Sequence, residues 1–334
     1  MAMDQLPIID VAALAASATP RARLEVARQI DAAARAYGFF YVTNHGVNAG
    51  LIARLVQLSR DFFKLDRAEK MSIPMSAGGT AWRGFFPLAG ELTSGRPDWK
   101  EGLYLGQELG PDHPRVRDGV ILHGPNLWPA LDGFRETVLA YIDAMEQLGH
   151  ALMRGIALGL GLPEAYFQEH GTADPLLLLR LFNYPSLPVP QGSSTQWGVG
   201  EHTDYGLLTM LWQDDVGGLQ LRTDSGWIDA PPVQGTFVCN IGDMLDRMTG
   251  GRLRSVPHRV AINTSGRDRL SIPLFFDPDF ATLVQPVPGS GAGQDDSGRR
   301  WDGANLQAFE GTYGDYVTAK IGKVFPELKR SVGG

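Results

Sequence analysis

Leu207-Leu208-Thr209-Met210-Leu211-Trp212-Gln213-Asp214-Asp215-Val216-Gly217-Gly218-Leu219-Gln220-Leu221 is a short apolar run, an acidic glycine-rich turn and a second short apolar run. Such a pattern reads as strand, turn, strand. The same punctuation recurs around it. Residues 176–182, 227–228, 237–241, 258–262 and 270–276 are further apolar runs, and Asp224-Ser225-Gly226 and Ser265-Gly266 are further turns. Many short strands with regular turns predict a β-sandwich or jelly roll for the second half.

The first half has a different period. Thr19-Pro20 is an N-cap and first-turn pair, after which Leu24, Ala27, Ile30 and Ala34 recur at helical spacing until Gly38. Phe39-Phe40-Tyr41-Val42 then reads as a strand, and residues 51–63 as a helix with Ile52, Leu55, Leu58 and Phe62 on one side. Residues 74–129 are dense in Gly, Pro and Trp and predict long loops with short strands, the kind of segment that shapes a pocket mouth. A long helix is expected over 131–160 and another over 310–324, with a Gly-, Ser- and Asp-rich loop over 288–303. The expected fold is therefore mixed α and β: a jelly-roll core with flanking helices and a helical N-terminal region. Its division is 1–165, 170–285 and 286–334.

Composition narrows the chemistry. With 334 residues, 43% apolar and 20% charged, the chain reads as an ordinary globular protein. A net charge of −7 opposes a nucleic-acid binder, which needs a basic stripe. No window approaches the roughly 18 apolar residues of a membrane helix. One cysteine, Cys239, cannot form an internal disulfide or build a Cys-rich metal site. A cytoplasmic protein, expected to be a monomer and acting on a small molecule, follows.

His202-Thr203-Asp204 stands just before a predicted strand. In extended chain residues i and i+2 face one side, so His202 and Asp204 can converge. They supply two of the three ligands of a 2-His-1-carboxylate triad, which leaves three positions of an octahedral Fe(II) open. His258, 54 residues beyond Asp204 at the start of another predicted strand, is the candidate third ligand. Arg269-Leu270-Ser271 is a second i, i+2 pair, on a strand whose two faces are both apolar. An inward guanidinium there needs a carboxylate, which its fork fits bidentately.

Taken together, the chain resembles the isopenicillin N synthase-like branch of Fe(II)/2-oxoglutarate-dependent dioxygenases. The resemblance runs through Leu6-Pro7-Ile8-Ile9-Asp10, Gly38-Phe39-Phe40-Tyr41-Val42-Thr43-Asn44-His45-Gly46-Val47, His202-Thr203-Asp204, Gly217-Gly218-Leu219-Gln220, Asn240-Ile241-Gly242-Asp243, His258-Arg259-Val260 and Arg269-Leu270-Ser271. It implies a double-stranded β-helix with Fe(II) on His202, Asp204 and His258, and O2 as oxidant. It also implies that the far carboxylate of 2-oxoglutarate lies against Arg269 and Ser271, beside Tyr184. Residues 90–98 and 202–208 resemble the ethylene-forming enzyme of this branch, in which the residues matching Glu91, Thr93 and Tyr205 hold an arginine substrate; Arg180 matches an active-site arginine. Glu91 also reads as an exposed loop carboxylate.

Two other readings remain open in the sequence. One is an oxoacid-independent oxidase of the isopenicillin N synthase or 1-aminocyclopropane-1-carboxylate oxidase type. The other is a non-catalytic, metal-dependent binding protein. His45, His113, His123, His150 and His170 read as structural. Asn240, Gly242 and Asp243 read as strand end and turn, and the seven tryptophans as core or pocket wall.

Overall fold

A computed structural model describes residues 5–15, 18–188, 196–291, 293–300 and 302–324. Trp301 and residues 189–195 lie outside it.

The twelve strands are β1 (Ile8–Asp10), β2 (Phe39–Thr43), β3 (Gly84–Phe86), β4 (Glu101–Gly106), β5 (Leu176–Tyr184), β6 (Val199–His202), β7 (Leu208–Gln213), β8 (Leu219–Thr223), β9 (Gly226–Asp229), β10 (Phe237–Ile241), β11 (His258–Val260) and β12 (Arg269–Asp277), among the described residues. They form an eight-stranded sheet in the order β1-β2-β10-β7-β12-β5-β4-β3 and a four-stranded sheet in the order β6-β11-β8-β9. One cavity is lined from both sheets, by Val199, Leu219 and Val260 on one side and Leu178, Leu211 and Phe275 on the other. This is the expected jelly roll. Strands from the first 106 residues extend both edges of the large sheet, which the sequence reading had not foreseen.

Eight helices surround it: α1 (Pro20–Ala36), α2 (Ala49–Lys64), α3 (Arg67–Lys70), α4 (Pro114–Arg117), α5 (Phe134–Gly159), α6 (Tyr166–His170), α7 (Asp243–Met248) and α8 (Tyr313–Val324), again among the described residues. Thr19 caps α1 by accepting from the Ala22 amide at 3.3 Å, and Asn48 caps α2 by accepting from Leu51 at 3.1 Å. Gly38 ends the first helical run at φ +66°, where a Cβ would lie 2.4 Å from the Arg254 carbonyl. Only glycine fits there. α5, 26 residues and about 39 Å long at 1.5 Å per residue, supports the large sheet. At Gly149 it approaches so closely that a Cβ would meet Phe276 at 2.3 Å.

Strand alternation separates two chemistries. On β12, Leu270, Ile272, Leu274 and Phe276 enter the core shared with the helices, while Arg269, Ser271, Pro273, Phe275 and Asp277 line the cavity. On β5, Leu177, Leu179 and Leu181 face the helices, whereas Leu178, Arg180, Phe182 and Tyr184 face the cavity. Period-two geometry therefore places the charged groups of these strands on one side. Burying each large side chain of the helix-facing set contributes roughly 1.5–3 kcal/mol and holds the register.

Candidate metal centre and cavity

β6 and β11 pair antiparallel, with His258 directly opposite His202. Directly opposed residues have Cβ atoms about 5 Å apart, so register alone joins two rings distant in sequence; their centroids lie 4.2 Å apart. The His202 Nδ1–H donates to the Gly200 carbonyl at 2.8 Å, and the His258 Nδ1–H to the Val256 carbonyl at 3.1 Å. A carbonyl only accepts, so each neutral ring carries its free lone pair on Nε2. These two Nε2 atoms lie 3.8 and 3.6 Å from Asp204 Oδ1. Ligand atoms of the three residues all fall within 4.8 Å of one another. The other Asp204 oxygen is held by Thr209 Oγ1 at 2.5 Å and Asn240 Nδ2 at 2.7 Å.

Electrostatics keeps the donor set metal-ready. Burial by itself would raise the Asp204 carboxyl, but His258, His202 and the bonds from Asn240 and Thr209 hold it below its ordinary value. Burial, followed by repulsion from His202, pushes His258 down to about 4. At neutral pH His258 is thus an unprotonated imidazole and Asp204 a carboxylate. Two nitrogens and one oxygen on one side of a point fit Fe(II) with an open hemisphere, and that hemisphere faces a cavity of about 170 Å³.

In the lining of the same cavity, Arg269 is 2% exposed. Its Nη2 donates to Gln213 Oε1 at 3.1 Å, while Nε and Nη1 have no hydrogen-bond partner. The guanidinium lies 4.7 Å from the Tyr184 ring centroid, and Tyr184 is its cross-strand neighbour. Ser271 is buried on the same face. The sequence-derived pair therefore points inward together.

Glu91 is buried and not an exposed loop carboxylate, correcting that reading. Its Oε1 accepts from Tyr104 Oη at 2.5 Å, and its Oε2 lies 2.7 Å from Lys100 Nζ. Thr93 donates to Asp98 Oδ2 at 2.5 Å. Arg180 stacks 3.6 Å from the Tyr104 ring centroid and donates to the Leu105 and Leu179 carbonyls. Tyr205, raised by burial, lines the same cavity as these groups and the metal centre.

Several functional residues escaped the sequence reading. Asn240, read as strand geometry, orients Asp204; its place as an alternate residue of a buried strand was the available signal. Asp243, read as a turn residue, accepts from Arg300 at 2.7 Å and Tyr316 at 2.7 Å, and Arg300 also donates to Thr203 between two ligands. Lys100 and Asp98 had no sequence signal. Gly206 is required by contact, since a Cβ there would stand 1.5 Å from Asp277 Oδ1. Trp82 lines the cavity from a left-handed backbone (φ 51°), rare for a bulky residue and characteristic of functional sites. The remaining histidines lie outside the centre, as expected: His45 packs 4.5 Å from the Phe237 ring and His170 stacks on Tyr166 at 4.4 Å.

Residues 174–278 match the family described as the 2OG-Fe(II) oxygenase superfamily, and residues 6–131 the N-terminal family described from a non-haem dioxygenase in morphine synthesis. A Dictyostelium discoideum protein named "probable iron/ascorbate oxidoreductase" is 50% identical, over 99% of this chain and 97% of its own. The chain belongs to the 2-oxoglutarate–Fe(II) oxygenase superfamily. A 1-aminocyclopropane-1-carboxylate oxidase of the same organism is 39% identical over 97% and 96%, and a homoarginine-6-hydroxylase of Glycine max 37% identical over 98% and 100%. A full-length Neurospora crassa protein, solved in complex with alpha-KG, superposes with a TM-score of 0.78 at 28% identity, covering 95% of each chain. The centre of this oxygenase is thus a non-haem iron site, used with 2-oxoglutarate. Among the described residues no helix is long and apolar enough to cross a membrane.

Proposed function

We propose that this oxygenase couples oxidative decarboxylation of 2-oxoglutarate to hydroxylation of a small molecule. In this reading Arg269 and Ser271 hold the far carboxylate, Tyr184 flanks it, and Glu91, Thr93, Arg180 and Tyr205 shape the substrate side. When bound, iron supplies the redox chemistry: substrate, 2-oxoglutarate and O2 give hydroxylated substrate, succinate and CO2.

What this chain contributes is positioning. His202, Asp204 and His258 would hold the metal by Nε2, Oδ1 and Nε2. Arg269 neutralises an anion in a cavity with apolar walls, where a bidentate pair is strong. Leu211, Phe182 and Val260 exclude water from the reacting region. The observation that carries the reading is the buried Arg269, with two nitrogens free of hydrogen bonds, lining the same cavity as the triad. A guanidinium so placed is costly without an anion. The division into 1–165, 170–285 and 286–334, a monomeric state and a cytoplasmic location belong to the same proposal. The last draws support from a single, buried cysteine.

The test is succinate formation from 2-oxoglutarate with Fe(II) and O2. It is expected to fall to background in His202→Ala and Asp204→Ala. In Arg269→Met, loss of charge-assisted bonds of about 3 kcal/mol should weaken 2-oxoglutarate roughly 100-fold. Turnover without 2-oxoglutarate, unaffected by the Arg269 change, refutes the proposal in favour of an oxoacid-independent oxidase.

A further inference from the structure

The cavity wall away from the metal carries its own charged cluster. Lys100 is 2% exposed and precedes β4. Its ammonium lies 2.7 Å from Glu91 Oε2 and 2.5 Å from Asp98 Oδ2, with the Phe182 ring centroid 4.9 Å away. Glu91 Oε1 takes the Tyr104 hydroxyl, Asp98 Oδ2 takes the Thr93 hydroxyl, and Asp98 Oδ1 takes the Gly200 amide at 3.1 Å. Three of the four carboxylate oxygens therefore accept hydrogen bonds from this chain, and the fourth, Glu91 Oε2, is held by its ion pair with Lys100 alone. An acid kept for a substrate cation would present an oxygen to the cavity, and neither of these does.

Of the buried wall atoms without hydrogen-bond partners, Trp82 Nε1 and Arg269 Nε and Nη1 are donors, the Arg269 pair being those assigned above to 2-oxoglutarate, while Glu91 Oε2, ion-paired with Lys100, and Asp277 Oδ1 are acceptors. Arg180 places a second cation beside Glu91, whose ionised form it favours. Among the described residues, the one acid oxygen on the wall with neither a hydrogen bond nor an ion pair is Asp277 Oδ1. It is packed against Gly206, where even a methyl group would come within 1.5 Å. A substrate cation entering here would meet Lys100 and Arg180 and find no free carboxylate. An acceptor-bearing substrate would meet the unpartnered Trp82 Nε1 donor along a largely aliphatic and aromatic wall.

We propose that Lys100 determines specificity: its ammonium fills the seat between Glu91 and Asp98 that a substrate guanidinium or ammonium would take, so the pocket selects an uncharged or carboxylate-bearing substrate with an apolar body. This rests on the cavity being the substrate pocket of an oxygenase. It sets this chain apart from the substrate in the name of its Glycine max relative. Removing the ammonium while keeping its seat converts the wall into a cation site.

The experiment uses the full chain loaded with Mn(II) and 2-oxoglutarate under argon, titrated calorimetrically with L-homoarginine, 1-butylguanidinium, pentanoate and pentanamide. The wild-type protein is expected to bind neither cation saturably below ~10 mM, a free energy weaker than about −3 kcal/mol. Lys100→Met keeps the stem length and frees two carboxylates; the cations should bind about 10- to 100-fold tighter, as expected for charge-assisted hydrogen bonds. A second arm needs neither metal nor oxoacid: in Lys100→Ala, 1-propylammonium should raise the thermal midpoint more than potassium at equal ionic strength, and should not do so in wild type. Equal cation affinity in wild type and Lys100→Met, or folded variants that gain nothing, overturns the proposal. Should neither variant fold, the wild-type titration decides, since tight homoarginine binding contradicts it outright. Failure of 2-oxoglutarate to change the visible spectrum of the Fe(II) protein would instead sink the oxygenase reading, leaving the propylammonium arm interpretable.

Discussion

Asn240→Ala removes one of two bonds that hold the non-ligating oxygen of Asp204. In the structure that oxygen takes Asn240 Nδ2 at 2.7 Å and Thr209 Oγ1 at 2.5 Å, leaving Oδ1 turned toward the two Nε2 atoms. A hydrogen bond to a charged group contributes about 1.5–3 kcal/mol. Loss of a partner that orients a metal-binding side chain typically costs 10–100-fold in metal affinity, or about 1.4–2.8 kcal/mol. The two scales agree, so metal dissociation should weaken by roughly 10–100-fold. The assay is Fe(II) or Mn(II) competition against a calibrated chelator, with circular dichroism confirming the fold. Activity at saturating iron should recover substantially, because the ligands themselves remain. Asn240→Asp, which sets a second carboxylate against Asp204, should be worse than alanine. A folded Asn240→Ala protein with wild-type metal affinity would refute the idea that these bonds aim the carboxylate.

Burial pushes Asp277 up to about 7 from 3.8, so the folded chain retains a proton that the unfolded chain releases near pH 4. Its contribution to stability is complete below about pH 4 and is lost as pH rises to about 7, by at most about 4 kcal/mol. Asp277→Asn keeps an acceptor for Tyr313 and should flatten that decline in denaturant titrations across pH; an unchanged slope contradicts it. Arg300→Met strands Asp243, which is fully buried, and should cost about 3–5 kcal/mol in urea unfolding. The double change Arg300→Met with Asp243→Asn should recover much of the loss, and a single-variant cost below about 1 kcal/mol argues against an ionic lock over Thr203.

The legible parts of the molecule are those whose evidence is local. Helix α1 shows its cap, its apolar period and its stop in twenty consecutive residues, and the strand at 237–241 was placed to the residue. His202 and Asp204 were readable because their spacing matches a strand period, and Arg269 and Ser271 because inward charge on a doubly apolar strand demands explanation. β6 was missed: Val199–His202 is only four residues long and follows a stretch with no alternation. β1 was missed, and β3 and β4 were foreseen only as unplaced short strands, for a related reason. Each gains its place by joining an edge of a sheet formed mostly by later residues, and nothing within the segment announces that partner.

The amino-acid order by itself determined which groups could bind a metal and an anion, and on which strand faces they would fall, because periodicity is a property of neighbouring residues. Only the tertiary structure decided that His258 lies opposite His202, that Asn240 braces Asp204, and that Lys100 already neutralises Glu91. Those facts depend on register and on loops crossing long separations. A carboxylate in a sequence carries no sign of whether its counter-charge will come from a ligand or from its own chain.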